Sequence, residues 1–358
     1  MIKFISVVLI SLFLISPSRS VCKEACLPDS AWVSELKEQF ERIENNMSGS
    51  LGVYVKHLGD NRTLSYKADE NWYLASTTKI PMAVAILQKV ESGSLSLNDK
   101  LILQESNFVD GAGDLLWQKP GTEYTIASLI ERMIQSSDNC ATDMLFGLIG
   151  EEELDLRIRQ TMIPEGLNRI TSILQVRYDA YSEFHENALG LCNLDILYVN
   201  STRSRPERLQ RLLERMAVYE NELKARTIEE AFELYYERRL NSGNLESMGL
   251  LLERLHAGEL LSKEHTHLLL DIMKGVTTGE RRIKAGLGEG WNFAHKTGTQ
   301  IRRTVNVGII YPADNRAGHP IIVAASVEKT DNLSEAEKAL EEVGRVLYRT
   351  LMQQGTAL

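Results

Sequence analysis

The chain has 358 residues and carries 49 Asp+Glu against 40 Lys+Arg, a formal net charge of −9. Hydrophobic residues at 43% and charged residues at 25% are ordinary for a folded protein and exclude wholesale disorder or a collagen-like repeat. The acidic balance argues against nucleic acid as the main partner, and the length is enough for one large or two ordinary domains.

Lys3 precedes an apolar run over residues 4–15, followed by Ser16-Pro-Ser-Arg-Ser20. One cation, about a dozen apolar residues and small residues before a break describe a secretory signal peptide, cut after Ser20. The run is short for a membrane span, which needs about twenty residues. The expectation is a periplasmic or secreted protein with no stable membrane span after cleavage, acting as a monomer. Residues 21–358 are then read as a single catalytic domain with an insertion.

Export permits disulfides. Cys22, Cys26, Cys140 and Cys192 allow three pairings. A local Cys22–Cys26 bridge with a Cys140–Cys192 brace is one arrangement, and free buried thiols are the other.

Residues 29–45 place Trp32, Leu36, Phe40 and Ile43 at helical spacing. Residues 51–58 read as a strand, turned by Gly59-Asp60-Asn61, with 63–66 returning. Residues 77–91 are an apolar helix ended near Gly93. Residues 125–135 and 141–149 are helices flanking the polar corner Ser136-Ser-Asp-Asn139. Residues 191–240 are rich in Arg, Glu and Leu, with capping boxes at Ser204-Arg-Pro-Glu207 and Thr227-Ile-Glu-Glu230. They read as two amphipathic helices joined near 220–226, packed on the body. Three strands follow at 291–299, 304–311 and 320–328, then a helix over 334–352. Strands open and close the chain and helices fill its middle. The fold class is therefore α+β: an antiparallel sheet formed by both chain ends packed against helices, plus an all-α subdomain.

A serine that attacks a carbonyl needs a base, a site for the oxyanion and a grip on the substrate. Three motifs supply these: Ser76-Thr-Thr-Lys79, Ser137-Asp-Asn139 and Lys296-Thr-Gly298. Each alone is weak, since Ser34-Glu-Leu-Lys37 and Ser326-Val-Glu-Lys329 also fit the first. Ser76 differs by opening a long apolar helix, where developing negative charge is favoured and Lys79 follows one turn later. A buried lysine loses its proton readily and can act as a base. His265-Thr-His267 has no further ligands nearby, so neither a metal nor a cofactor is expected.

The order and context of the motifs resemble the class A serine β-lactamases. The likeness runs through residues 73–81 and 87–97, and through Thr277-Thr-Gly-Glu-Arg-Arg-Ile-Lys-Ala-Gly286 to His295-Lys-Thr-Gly-Thr299. It implies a penicillin-recognising serine hydrolase. Ser76 would be the acylated nucleophile and Lys79 its base. Ser137 would relay a proton to the leaving nitrogen, and Asn139 would hold the substrate side chain and Lys79. Lys296, Thr297, Gly298 and Thr299 would bind the substrate, and Arg302 or Arg303 would add a second cation. The backbone N–H groups of Ser76 and Thr299 would form the oxyanion hole. The implied substrate is a β-lactam, with a cell-wall D-Ala-D-Ala peptide or slow-turnover β-lactam binding as the alternatives.

Two features depart from that family. Its deacylating glutamate lies in an E-x-x-L-N pattern that has no clean copy here. Glu183-Phe-His-Glu-Asn187 keeps the spacing, whereas Glu165-Gly-Leu-Asn168 is one residue short. Glu183 is the preferred base. The second departure is the long separation of Ser137 and Lys296, most of it residues 191–240, next to that candidate base.

Overall fold

The computed structural model describes residues 31–313 and 318–352. The expected signal peptide, Cys22 and Cys26 lie outside them. Five antiparallel strands form the main sheet. In order across it they are Arg62–Tyr66, Ser50–His57, Ile321–Glu328, Arg303–Pro312 and Trp291–Gln300. The early hairpin thus joins the three late strands, as both chain ends were expected to do.

Both faces of this sheet are covered, which explains the apolar run Ile321-Ile-Val-Ala-Ala325 in its central strand. On one face Leu51, Val53, Val323 and Ala325 pack with Leu36, Phe40, Leu340 and Val343 from the helices Ala31–Asn45 and Leu333–Leu347. On the other, Tyr54, Val307, Ile309 and Ile322 meet the helix Lys79–Glu91 and its neighbours Ile126–Gln135, Asn139–Ile149 and Leu245–His256. The terminal helices were legible from their single apolar stripes. The helix Lys79–Glu91 is buried from Lys79 through Leu87, as a central helix must be.

The charged segment contains the two expected helices, Arg205–Met216 and Ile228–Glu237, preceded by a further one, Asn193–Asn200. Ser204 and Thr227 cap their helices, each side-chain oxygen accepting from the N–H three residues on. Leu212, Met216, Phe232 and Tyr235 form a separate apolar cluster with Val176, Tyr181 and Phe184 of the helix Ile173–Ser182 and its end. This cluster also includes Tyr73, three residues before Ser76. Tyr236 donates its hydroxyl to the Ile301 carbonyl at 2.8 Å, and Glu233 pairs with Arg302 and Arg303 at 2.9 and 2.7 Å. The segment is therefore fastened to the turn that follows Lys296-Thr-Gly298. Cys140 is buried and Cys192 exposed, and both are free thiols, so the Cys140–Cys192 brace does not form. Among the described residues, no helix is long and apolar enough to cross a membrane.

Candidate active site

Ser76 lies in a single turn of 3-10 helix, Ala75–Thr78, that runs into the helix Lys79–Glu91. Ala75 enters the turn at φ 47°, a left-handed conformation that costs a non-glycine residue free energy. Neighbouring bonds hold it. Thr77 Oγ1 donates to the Leu74 carbonyl at 2.7 Å, and Thr78 Oγ1 to that of Ala75 at 2.9 Å. The Leu74 N–H is bound by the Asn241 carbonyl at 2.9 Å.

Lys79 is fully buried. Its Nζ donates to the Ser137 carbonyl at 2.7 Å, to Asn139 Oδ1 at 2.9 Å and to Ser137 Oγ at 3.2 Å. These acceptors hold the amine against the Ser137 corner. Burial, against the pull of Asp143 and Asp138 and with the help of Arg177, lowers its pKa to about 7. A lysine poised there is neutral in a far larger fraction near pH 7 than a free one, and so is available to accept a proton.

The corner carrying Ser137 is also locked. Ser137 sits at φ 61°. Asp138 accepts from the N–H groups of Ala141, Asp114 and Leu115 at 2.8 to 2.9 Å, so one carboxylate caps the helix Asn139–Ile149 and pins the facing loop. Asn139 Nδ2 donates to the Asp110 carbonyl of that loop at 2.7 Å.

Strand Trp291–Gln300 closes the other side. A Cβ on Gly298 would lie 2.8 Å from Ala75 Cβ, 2.9 Å from the Leu74 carbonyl oxygen and 3.1 Å from the Ser76 nitrogen. Only a residue without a side chain lets the strand come this close to the nucleophile turn. Lys296 is fully buried, with its Nζ 3.0 Å from the Thr297 carbonyl. Burial, with Lys79 and Arg282 as cationic neighbours, holds its pKa well below the usual lysine range. A substrate carboxylate beside it would favour its charged form. Thr297 Oγ1 is 2.5 Å from Thr278 Oγ1.

Arg302 and Arg303, the expected second cation, lie at the turn after the strand. Both are engaged by Glu233, and Arg303 also lies 4.2 Å from the Tyr236 ring centre. Arg282 is the arginine placed nearest Thr299, and its Nε also pairs with Glu337 at 3.4 Å. Its guanidinium is buried behind the strand and donates to the Gly298 and Val305 carbonyls at 3.0 and 3.1 Å and to Thr299 Oγ1 at 2.7 Å. It belongs to the 277–286 stretch that carried the family likeness, but its geometry was not readable from position alone. His295 is a buried strand residue stacked on Phe293, and burial lowers its pKa to about 3.

Ser76, Lys79, Ser137, Asn139, Lys296, Thr297, Gly298 and Thr299 are thus gathered around one turn. Glu183 is not. It follows the helix Ile173–Ser182, and its carboxylate is held by Arg238, whose Nε donates at 2.7 Å. Glu165 faces a separate groove with Lys56 and Glu253. The narrow cleft beside Ser76, about 50 Å³, is lined on this side by Ile173, Val176 and Arg177. Among the described residues lining it, none is a carboxylic acid. Arg177 makes a two-pronged ion pair with Asp110, Nε to Oδ1 at 2.8 Å and Nη2 to Oδ2 at 3.0 Å. The nearby acid Asp143 is half-buried, and desolvation raises its pKa to about 6. Both its oxygens accept backbone N–H groups, from Ile173 at 2.7 Å and Leu174 at 2.9 Å, which fixes the start of the helix.

A model of the beta-lactamase enzyme family matches residues 35–351. The chain belongs to that family. It is 23% identical over 325 residues to a beta-lactamase of Bacillus licheniformis, covering 90% of this chain and 86% of the relative. It is 26% identical over 293 residues to beta-lactamase OXY-2 of Klebsiella oxytoca, covering 79% and 80%. Among solved structures, a class A beta-lactamase from Mycobacterium abscessus aligns with TM-score 0.64 and 20% identity, over 88% of this chain and 98% of that one. An acyl-enzyme complex of a PBP-A mutant with penicillin-G aligns with TM-score 0.65 and 22% identity, over 88% and 96%. The fold is that of class A beta-lactamases, reached by a divergent member of the family.

Proposed function

We propose that this family member is an exported serine acyl-enzyme that is acylated by β-lactams at Ser76 and releases the acyl group slowly. Neutral Lys79 takes the proton from Ser76 Oγ, which adds to the lactam carbonyl carbon. The oxyanion is received by the backbone N–H groups of Ser76 and Thr299. The ring C–N bond then breaks, and the proton returns to its nitrogen through Ser137. Lys296, Thr297 and Thr299 hold the substrate carboxylate, with Arg282 behind them, and Asn139 holds the acyl side chain. A cell-wall peptide ending in D-Ala-D-Ala can use the same groups. The export signal, the single catalytic domain of residues 21–358 and monomeric action belong to the same reading.

The observation that supports slow release is the cleft wall beside Ser76, where Ile173, Val176 and an Arg177 already paired with Asp110 stand and no lining residue described is the glutamate that the resemblance called for. Hydrolysis of the acyl-enzyme needs a group to accept a proton from water. Lys79 can do this, without help from a dedicated carboxylate.

The test is incubation with a chromogenic cephalosporin and with benzylpenicillin, following colour release and intact mass. The expected result is a burst near one equivalent and a long-lived adduct, both lost in Ser76→Ala. Fast steady turnover without accumulated adduct overturns slow release. No adduct and no turnover overturns acylation at Ser76.

A further inference from the structure

Arg177 sits within the apolar stripe of the helix Ile173–Ser182 and is nine-tenths buried. Its Nε and Nη2 are engaged by the Asp110 carboxylate, while Asn139 Nδ2 donates to the carbonyl of the same residue at 2.7 Å. Arg177 and Asn139 therefore flank Asp110 together and line one cleft with Ser76 and Thr299. That is the acyl side of the site if Asn139 grips the acyl substituent. The next residue, Gly111, has φ +110°, and a Cβ there would lie 2.5 Å from Asn139 Nδ2, so this corner carries no side chain.

The remaining amino group of Arg177, Nη1, carries two protons and has no protein acceptor among the described residues. This nitrogen keeps some solvent contact, and Arg177 is one of the residues that line the cleft. A guanidinium stays charged at every relevant pH and presents donors on more than one edge, so it can bind a second carboxylate while keeping the first. We propose that Arg177 selects acyl donors that carry a carboxylate on the acyl side, receiving it at Nη1. Lys296 receives the second carboxylate, on the leaving side. The favoured substrate class is then a dianionic acyl donor: a penicillin with a carboxylated side chain, or a peptide with a free carboxylate just before the scissile amide. This inference rests on acylation at Ser76.

Benzylpenicillin and carbenicillin differ by one carboxylate on the side-chain α-carbon and make a matched pair. Adduct formation at limiting concentration, timed by quench and intact mass, gives the ratio of their acylation rates. The wild-type protein is expected to favour carbenicillin about tenfold, the scale of one hydrogen bond between charged groups. Arg177→Met combined with Asp110→Asn removes both members of the pair and leaves no orphan carboxylate. In that protein the ratio should fall to about one or below, while Arg177→Lys should keep part of the preference. A merely structural loss slows both penicillins and leaves the ratio alone. Equal wild-type rates, or a ratio unmoved in the double variant, overturn selection by Arg177 while acylation stands. No adduct from either penicillin on the wild-type protein overturns acylation and this inference with it.

Discussion

The two walls of the cleft differ in kind. On one, Ser76, Lys79, Ser137 and Lys296 are held by backbone bonds and close contacts, down to a glycine that allows strand and nucleophile turn to touch. On the other, the helix Ile173–Ser182 offers two aliphatic side chains and an arginine bound to Asp110. The first wall is fastened to the sheet and the central helix. The second packs against the inserted helices through Tyr181, Phe184 and Phe232. Acylation and deacylation make separate demands. This molecule meets the first with many mutually supporting groups and leaves the second without a carboxylate among the described residues of its wall.

The largest expected effect comes from giving the second wall what it lacks. Ile173 lines the cleft and its N–H is already fixed by Asp143. Ile173→Glu should shorten the lifetime of the penicilloyl adduct by on the order of a hundredfold, the low end of the range for a positioned general base. Acylation should remain. Adduct decay after removal of free penicillin measures it. An unchanged lifetime with intact acylation would show that deacylation is limited elsewhere than at this wall.

A smaller effect probes the first wall. Lys79 is held near pKa 7, chiefly by burial. If its neutral form takes the Ser76 proton, adduct formation rises with pH as Lys79 loses its proton. The increase should be roughly tenfold between pH 6 and pH 8. A flat profile of acylation rate against pH would remove Lys79 as the titrating base. The same measurement on the Arg177→Met, Asp110→Asn protein links the walls. Arg177 lowers the lysine's pKa and the Asp110 carboxylate, lost with it, acts the other way, so the midpoint should stay close to that of the wild type.

Much of the first wall was legible because its chemistry is written in short, ordered motifs set on strong elements. Ser76 opens the buried helix, and Lys296-Thr-Gly298 lies on a strand whose neighbours alternate or are wholly apolar. The five-stranded sheet followed from the same patterns. The second wall was not legible in that way. An E-x-x-L-N pattern marks a base by spacing along the chain, yet helix Ile173–Ser182 carries Glu183 past its end and round to Arg238. The useful signal was subtler. Ile173, Val176, Ala180 and Tyr181 form a helical stripe, and Arg177 falls inside it, so a charge was destined for burial and needed a partner. That partner, Asp110, is distant in sequence, and only the fold brings it across. Arg282 was hidden for a similar reason, since nothing in its position announces that it will reach behind the strand to Thr299.

The smallest expected effect separates sequence spacing from placement. Glu183 matches the spacing of the family's base, but its carboxylate faces Arg238, with side-chain exposures of 20% and 37% for the two partners. An ion pair this open contributes at most about 1 kcal/mol. Glu183→Gln should therefore leave the adduct lifetime within about twofold of wild type and lower stability by less than about 1 kcal/mol. Adduct decay and urea unfolding measure the two. If instead the variant traps acyl-enzyme that the wild type releases, water reaches Ser76 from the Glu183 side. The contrast between the walls would then have to be redrawn, with the inserted helices carrying a catalytic group to the site.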